Sequence, residues 1–182
     1  MTLIPAIFGL ETTALTEREA ALFEEFPPVG YILFARNCKT PMQLTALVDS
    51  LKALHKNYIP LVLIDQEGGR VARLKEPHWH TPPTPQTFAD MAESSLEEAC
   101  KAAYANSVEI ARTLTAHGIN VNCAPMCDIR FPTSHDIIGD RAYGIDAAQV
   151  SIIALSVAQG LLDGGVLPVI KHIPGHGRAT VD

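Results

Sequence analysis

Five short apolar runs punctuate the chain: "LIPAIFG" (3–9), "GYILFA" (30–35), "PLVLID" (60–65), "INVNCAP" (119–125) and "VLPVIKH" (166–172). Each is rich in Ile, Val, Leu or Phe and nearly continuous, which predicts strands covered on both faces. Between them the apolar positions change to helical spacing. "TEREAALFEEF" (16–26) opens with Thr16 as a cap candidate and Glu19 three positions on, the pattern of a capping box. Residues 41–56 place Leu44, Leu47, Val48, Leu51 and Leu54 on one helical face, and 95–116 and 146–162 repeat the pattern. Strands alternating with helices predict an α/β fold with a parallel sheet wrapped by helices.

The connections are unequal. Links leading into the later strands are short ("PPVG", "KNYIP", "HG", "DGG"), whereas those leaving the third and fourth strands run from Gln66 to about Met91 and from Pro125 to about Ile145. In a TIM (β/α)8 barrel the loops at the C-terminal strand ends build the working face and the opposite loops only close the scaffold. A doubly wound sheet would also alternate, but its glycine-rich phosphate turn is missing after the first strand, which ends in "FGLETTAL". The barrel is therefore the expected architecture. About five βα units are present, so residues 1–182 are expected to be the N-terminal part of one (β/α)8 domain, whose full complement takes roughly 250 residues.

Composition narrows the function. The 182 residues are 47% hydrophobic and 19% charged, enough for a folded core. The 14 Lys and Arg against 20 Asp and Glu give a net charge of −6 with no basic run, which argues against a nucleic-acid partner. No apolar stretch reaches the ~18 to 20 residues of a membrane span, and "MTLIPAIFGL" is not a secretory leader. The four cysteines, Cys38, Cys100, Cys123 and Cys127, include no CxxC pair, so the expected compartment is the cytoplasm and the expected role of the thiols is burial. His78, His80, His172 and His176 lack zinc spacing, and neither a GxSxG elbow nor a phosphate loop is present. No metal and no cofactor are expected.

The remaining chemistry collects at predicted strand ends. Asp65 closes the third strand and is followed by two glycines, Arg70 and Arg73, either as a ligand-binding group or as an internal ion pair holding the loop. The loop after the fourth strand adds Asp128, Arg130, Asp136, Asp140 and Arg141; Arg141 is the residue selected for ligand contact, the others for loop structure. Lys171 and His172 end the fifth strand, ahead of a glycine- and proline-bearing loop that carries His176.

Together "LIDQEGGRVARL", "IIGDRAYG" and "KHIPGHGRATVD" resemble the family 3 glycoside hydrolases, specifically their bacterial β-N-acetylhexosaminidases; "GYILFARN" and "NVNCAPMCDI" fit the same pattern. The resemblance runs from near residue 8 to the last residue. It implies a barrel that removes terminal β-linked N-acetylglucosamine from muropeptides in cytoplasmic cell-wall recycling, by a retaining mechanism. It assigns Asp65 to sugar hydroxyls and Arg73, Arg141, Lys171 and His172 to the same aminosugar site. Asp182 matches the aspartate that orients a catalytic acid/base histidine two residues further on, and the nucleophilic aspartate belongs to a later strand. Ile173 stands where the family usually has an aromatic. A plain β-glucosidase and a catalytically silent sugar-binding or assembly fragment are the competing expectations, and association through the open side of the half-barrel is expected on its exposed edges.

Overall fold

The computed structural model describes residues 2–181. Its main sheet contains five parallel strands, β1 (Ile4–Gly9), β2 (Pro28–Leu33), β3 (Leu61–Ile64), β6 (Val121–Asn122) and β7 (Leu167–Pro168), each beside its predecessor in the chain. A doubly wound sheet reverses its strand order and this one does not, so the barrel expectation holds. The helices α1 (Glu17–Glu25), α2 (Pro41–Ala53), α4 (Leu96–Ala116) and α5 (Ala147–Asp163) lie close to their sequence-based positions. Four complete βα units and a fifth strand are present; no helix follows β7 among the described residues.

Local chemistry sets the boundaries. Thr16 accepts from the Glu19 backbone N–H while Glu19 reaches back to the Thr16 N–H, the expected capping box. Thr40 caps α2, with Pro41 in its first turn, and Ser95 and Asp146 cap α4 and α5. β6 and β7 are much shorter than the apolar runs that predict them. The cause is visible at Asn122, whose side chain replaces ladder bonds, accepting from the Gln66 N–H (3.0 Å) and donating to the Gln66 carbonyl (2.9 Å). Pro125 and Pro168 then remove backbone donors.

The long connection after β3 is structured. It holds an antiparallel hairpin, β4 (Gln66–Gly68) with β5 (Val71–Ala72), and a helix, α3 (Pro85–Ala92), neither foreseen from periodicity. Gly68 makes the hairpin possible: its φ is +130°, and a Cβ there would lie 2.0 Å from the Pro83 carbonyl oxygen.

Strand alternation produces two apolar layers. Tyr31, Leu33, Val62 and Ile64 face the helices in the large core, with Leu44, Leu47, Ile110 and Leu114 opposite. Leu63, Val121 and Cys123, flanked by Ile32 and Leu61, form a separate cluster on the other face, the inside of the barrel arc. At about 25 cal/mol per Å² of apolar surface removed from water, the large core dominates stability.

Candidate functional site

Leu61, Leu63 and Asp65 fall on one side of β3, so the pleat that buries two leucines inside the arc lifts the carboxylate to its rim. Gln66 then fixes the turn. Its side-chain oxygen accepts from the Arg73 and Leu74 N–H groups (2.8 and 3.0 Å) and its amide donates to the Leu74 carbonyl (2.9 Å), which folds Arg73 back over the strand end. Arg73 Nη2 thereby reaches Asp65 Oδ2 at 2.9 Å.

Lys171 arrives from the fifth strand, held by a parallel bridge to Met126. Its ammonium lies 2.9 Å from Asp65 Oδ1 and 2.5 Å from Glu67 Oε1. Glu67 in turn makes a bidentate pair with Arg141, Nε to Oε2 and Nη2 to Oε1, both 2.9 Å. The result is one continuous chain of charge: Arg73, Asp65, Lys171, Glu67, Arg141. Burial alone would raise the Asp65 carboxyl, but Lys171 and Arg73 outweigh it and hold the group below the usual carboxylate range. Burial likewise opposes the charge on Arg141, and Glu67, with the fields of Asp128 and Asp65, more than restores it.

His172 joins through a second pair. Its Nδ1 bonds to Asp128 Oδ2, and the other Asp128 oxygen accepts the His176 backbone N–H. Asp128 is buried; burial would raise its carboxyl, and His172 and the His176 N–H bring it below its ordinary value. The His172 side chain is 40% exposed, so Asp128 fixes one edge of a ring that remains open to ligand.

Of the sequence-selected residues, Asp65, Arg73, Arg141 and Lys171 therefore converge on one network, and His172 stands beside it. Asp182 lies outside the described residues. The Asp65 and Arg73 pair is an internal ion pair, as the structural reading expects, and it lies at the rim, where a ligand could reach it. Arg141 is not an open donor: its side chain is 8% exposed and committed to Glu67. Loop structure falls to Arg70, which bonds Asp140 Oδ1 (2.7 Å) and the Asp136 and Ile137 carbonyls (2.6 and 3.0 Å).

Glu67 and Asp128 were not selected from sequence as site residues. Charge counting could have found Glu67: three selected cations against Asp65 alone leave an imbalance that a half-buried site cannot hold. Among the histidines considered as metal ligands, the "HWH" segment instead buries Trp79, whose indole N–H donates to His117. Burial pushes the Cys38 and Cys123 thiols up to about 11, which marks them as packing groups.

The profile of the glycosyl hydrolase family 3 N terminal domain matches residues 11–182. The beta-hexosaminidase of Methylobacillus flagellatus is 37% identical over 182 residues, all of this chain and 51% of that protein. Crystal structures of NagZ from Neisseria gonorrhoeae, one in complex with zinc ion and one with N-trifluoroacetyl-D-glucosamine, superpose with TM-scores of 0.91 and 0.90 at 29% identity. Each alignment covers 97% of this chain and 52% of that one. The chain thus spans about half the length of the relatives it matches. Among its described residues no three His, Cys, Asp or Glu side chains gather in a group that could hold a metal ion. The family profile, the full-length similarity and the shared fold agree: this chain belongs to glycosyl hydrolase family 3, as its N-terminal domain.

Proposed function

We propose that residues 1–182 are the N-terminal, sugar-binding part of a (β/α)8 β-N-acetylhexosaminidase that removes terminal β-linked N-acetylglucosamine from muropeptides. The observation that carries this reading is Asp65, held at the rim by Lys171 and Arg73 at 2.9 Å each. Sugar hydroxyls both donate and accept, and this pairing meets both needs. Each Asp65 oxygen keeps a lone pair beyond its cation, and the Lys171 ammonium keeps one N–H beyond Asp65 and Glu67. The aminosugar preference draws on the relatives named beta-hexosaminidase and on the NagZ bound to an N-trifluoroacetyl-glucosamine.

Retaining hydrolysis needs a carboxylate to attack the anomeric carbon and a second group that protonates the leaving oxygen and then deprotonates water. In this reading a histidine oriented by Asp182 supplies the second group, and the histidine and the nucleophile lie on residues that are not among these 182. Asp65, Arg73, Lys171 and His172 bind and orient the sugar, while Arg141 and Glu67 brace them. The work is placed in the cytoplasm, on fragments of recycled cell wall. The four cysteines are unpaired thiols, which suits a reducing compartment, and no helix among the described residues is long and apolar enough to cross a membrane.

Calorimetric titration of the chain with N-acetylglucosamine and with glucose tests the reading. N-acetylglucosamine should bind at least about tenfold more tightly, a difference of roughly 1.4 kcal/mol, and Asp65→Asn should remove that binding. Equal affinity for both sugars, or no affinity for either, overturns the assignment. Turnover of a chromogenic N-acetylglucosaminide by these 182 residues alone would overturn the placement of the nucleophile and acid/base.

A further inference from the structure

The Asp128 side chain is 1% exposed, and both of its oxygens are engaged: Oδ2 bonds His172 Nδ1, and Oδ1 accepts the His176 backbone N–H. Burial works against its charge, and these two partners outweigh burial and keep the carboxyl below its ordinary value. An ionised carboxylate can only accept. His172 Nδ1 must therefore carry a hydrogen, and in the neutral ring Nε2 is left bare, an acceptor on the edge away from Asp128.

The bond to His176 reaches the loop that leads to Asp182. Residues 176–179 lie along the segment 128–135: Ser134 Oγ donates to the Gly177 carbonyl, the His135 N–H donates to the Ala179 carbonyl (3.0 Å), and the Arg178 guanidinium sits 5.3 Å from the Phe131 ring centre. Gly177 permits this close approach, because a Cβ there would lie 2.2 Å from the Ile129 carbonyl oxygen. These contacts tie loop to loop. Asp128 differs from them in also holding a residue assigned to the sugar.

We propose that Asp128 is a positioning residue: it presents His172 to the sugar with a bare Nε2 and, through the same carboxylate, fixes the loop that leads to Asp182. The inference rests on the proposed sugar site. Lys171, the preceding residue, can only donate, so a bare Nε2 supplies the neighbouring acceptor that a sugar hydroxyl also requires. The two tasks need two acceptor oxygens, and an amide has one. The His176 N–H can only donate, whereas an imidazole can move its proton. In Asp128→Asn the amide oxygen therefore stays with His176, the NH2 group turns to Nδ1, and the ring proton shifts to Nε2.

Nitrogen NMR of the histidine rings at about pH 8, where imidazole is ordinarily neutral, reads the tautomer, with His172→Gln assigning the signal. Amide hydrogen exchange at His176 reads the loop, and calorimetry with N-acetylglucosamine reads the sugar. The wild-type ring should carry its proton at Nδ1, and its Nε2 resonance should move when the sugar binds. Asp128→Asn should place the proton at Nε2 and weaken sugar binding about fivefold, while His176 exchange stays within about twofold of wild type. Asp128→Ala removes both acceptors and should also speed that exchange about tenfold. A wild-type ring protonated at Nε2 overturns the proposal and leaves the sugar site standing, and this measurement decides even where a variant does not fold. An Asp128→Asn ring that keeps its proton at Nδ1, or unchanged His176 exchange in Asp128→Ala, overturns it as well. Failure of N-acetylglucosamine to bind a wild-type ring protonated at Nδ1 removes the sugar-site reading, and the proposal with it.

Discussion

Glu67 shows its two oxygens to Lys171 and Arg141, and its side chain is 1% exposed. Glu67→Gln keeps the shape and removes the charge, which leaves Arg141 buried without its counter-ion. Breaking a buried pair in this way costs about 3 to 5 kcal/mol, far more than the median surface pair, so urea denaturation should show a large loss of stability. Asp65 and Asp128 predict a pH response. Both carboxyls lie below their ordinary 3.8 in the folded chain, so their contribution is complete above that value and is lost as pH falls through the depressed folded values. The urea midpoint should fall as the solution is acidified below about pH 4. Asp65→Asn should flatten that slope; an unchanged slope would show that the pairing with Lys171 and Arg73 does not hold the carboxylate. At this scale the sequence disclosed the cations well, because Lys and Arg at apolar strand ends stand out. It hid Glu67 and Asp128, because an acid amid loop polar residues looks like any solvated group until its partners are placed.

The helices and the strands were not equally legible. Each helix has a cap and an apolar stripe written locally, and those signals survive in α1, α2, α4 and α5. β6 and β7 were overestimated because Asn122 and the prolines interrupt pairing where the apolar run continues, and α3 was missed because it lies inside a proline-rich loop. Helix packing gives one prediction. A Cβ at Gly160 of α5 would lie 2.5 Å from the Tyr104 carbonyl oxygen of α4 and 2.9 Å from Ser107 Cβ. Gly160→Ala gains about 1 kcal/mol of helix propensity, but the clash with fixed backbone costs about 1 to 3 kcal/mol. The clash should win, and thermal unfolding of the variant should come at lower temperature. A second prediction concerns the joint between the β5–α3 loop and the helices. The Trp79 indole can only donate, so His117 Nε2 accepts (2.9 Å) and Nδ1 bears the proton toward Thr45 Oγ1 (2.8 Å). Burial lowers the His117 pKa from 6.5, as it does for His55, so the neutral folded form contributes stability above pH 6.5 that is lost as pH falls below it. His117→Gln can make both bonds without titrating. Between pH 7 and about 5 its stability should fall less than that of wild type, as read from urea midpoints.

At the scale of the whole molecule the arc has two edges. Among the described residues β1 pairs only with β2, and β7 only with β6. The inner face stays apolar out to both: Ile7, beside Gly30 on β2, is 44% exposed, and Leu167, beside Val121, is 51% exposed. Ile170 and Ile173 add to the same end at 57% and 83%. A closed barrel would cover such a face with further strands, and unpaired parallel edges next to apolar surface are templates for another chain. The ion-pair network shares this geometry, since Lys171 and His172 come three and four residues after the end of β7, so a strand covering this edge would also wall the proposed sugar site. We therefore expect the 182 residues alone to self-associate, and sedimentation velocity should show species larger than a monomer that grow with concentration. Ile170→Lys and Ile173→Lys together place charge on the edge without touching the ion-pair network, and should shift the distribution toward monomer while N-acetylglucosamine binding persists. A wild-type chain that sediments as a stable monomer would mean that these apolar residues are covered from within, and the open-arc description would have to be abandoned.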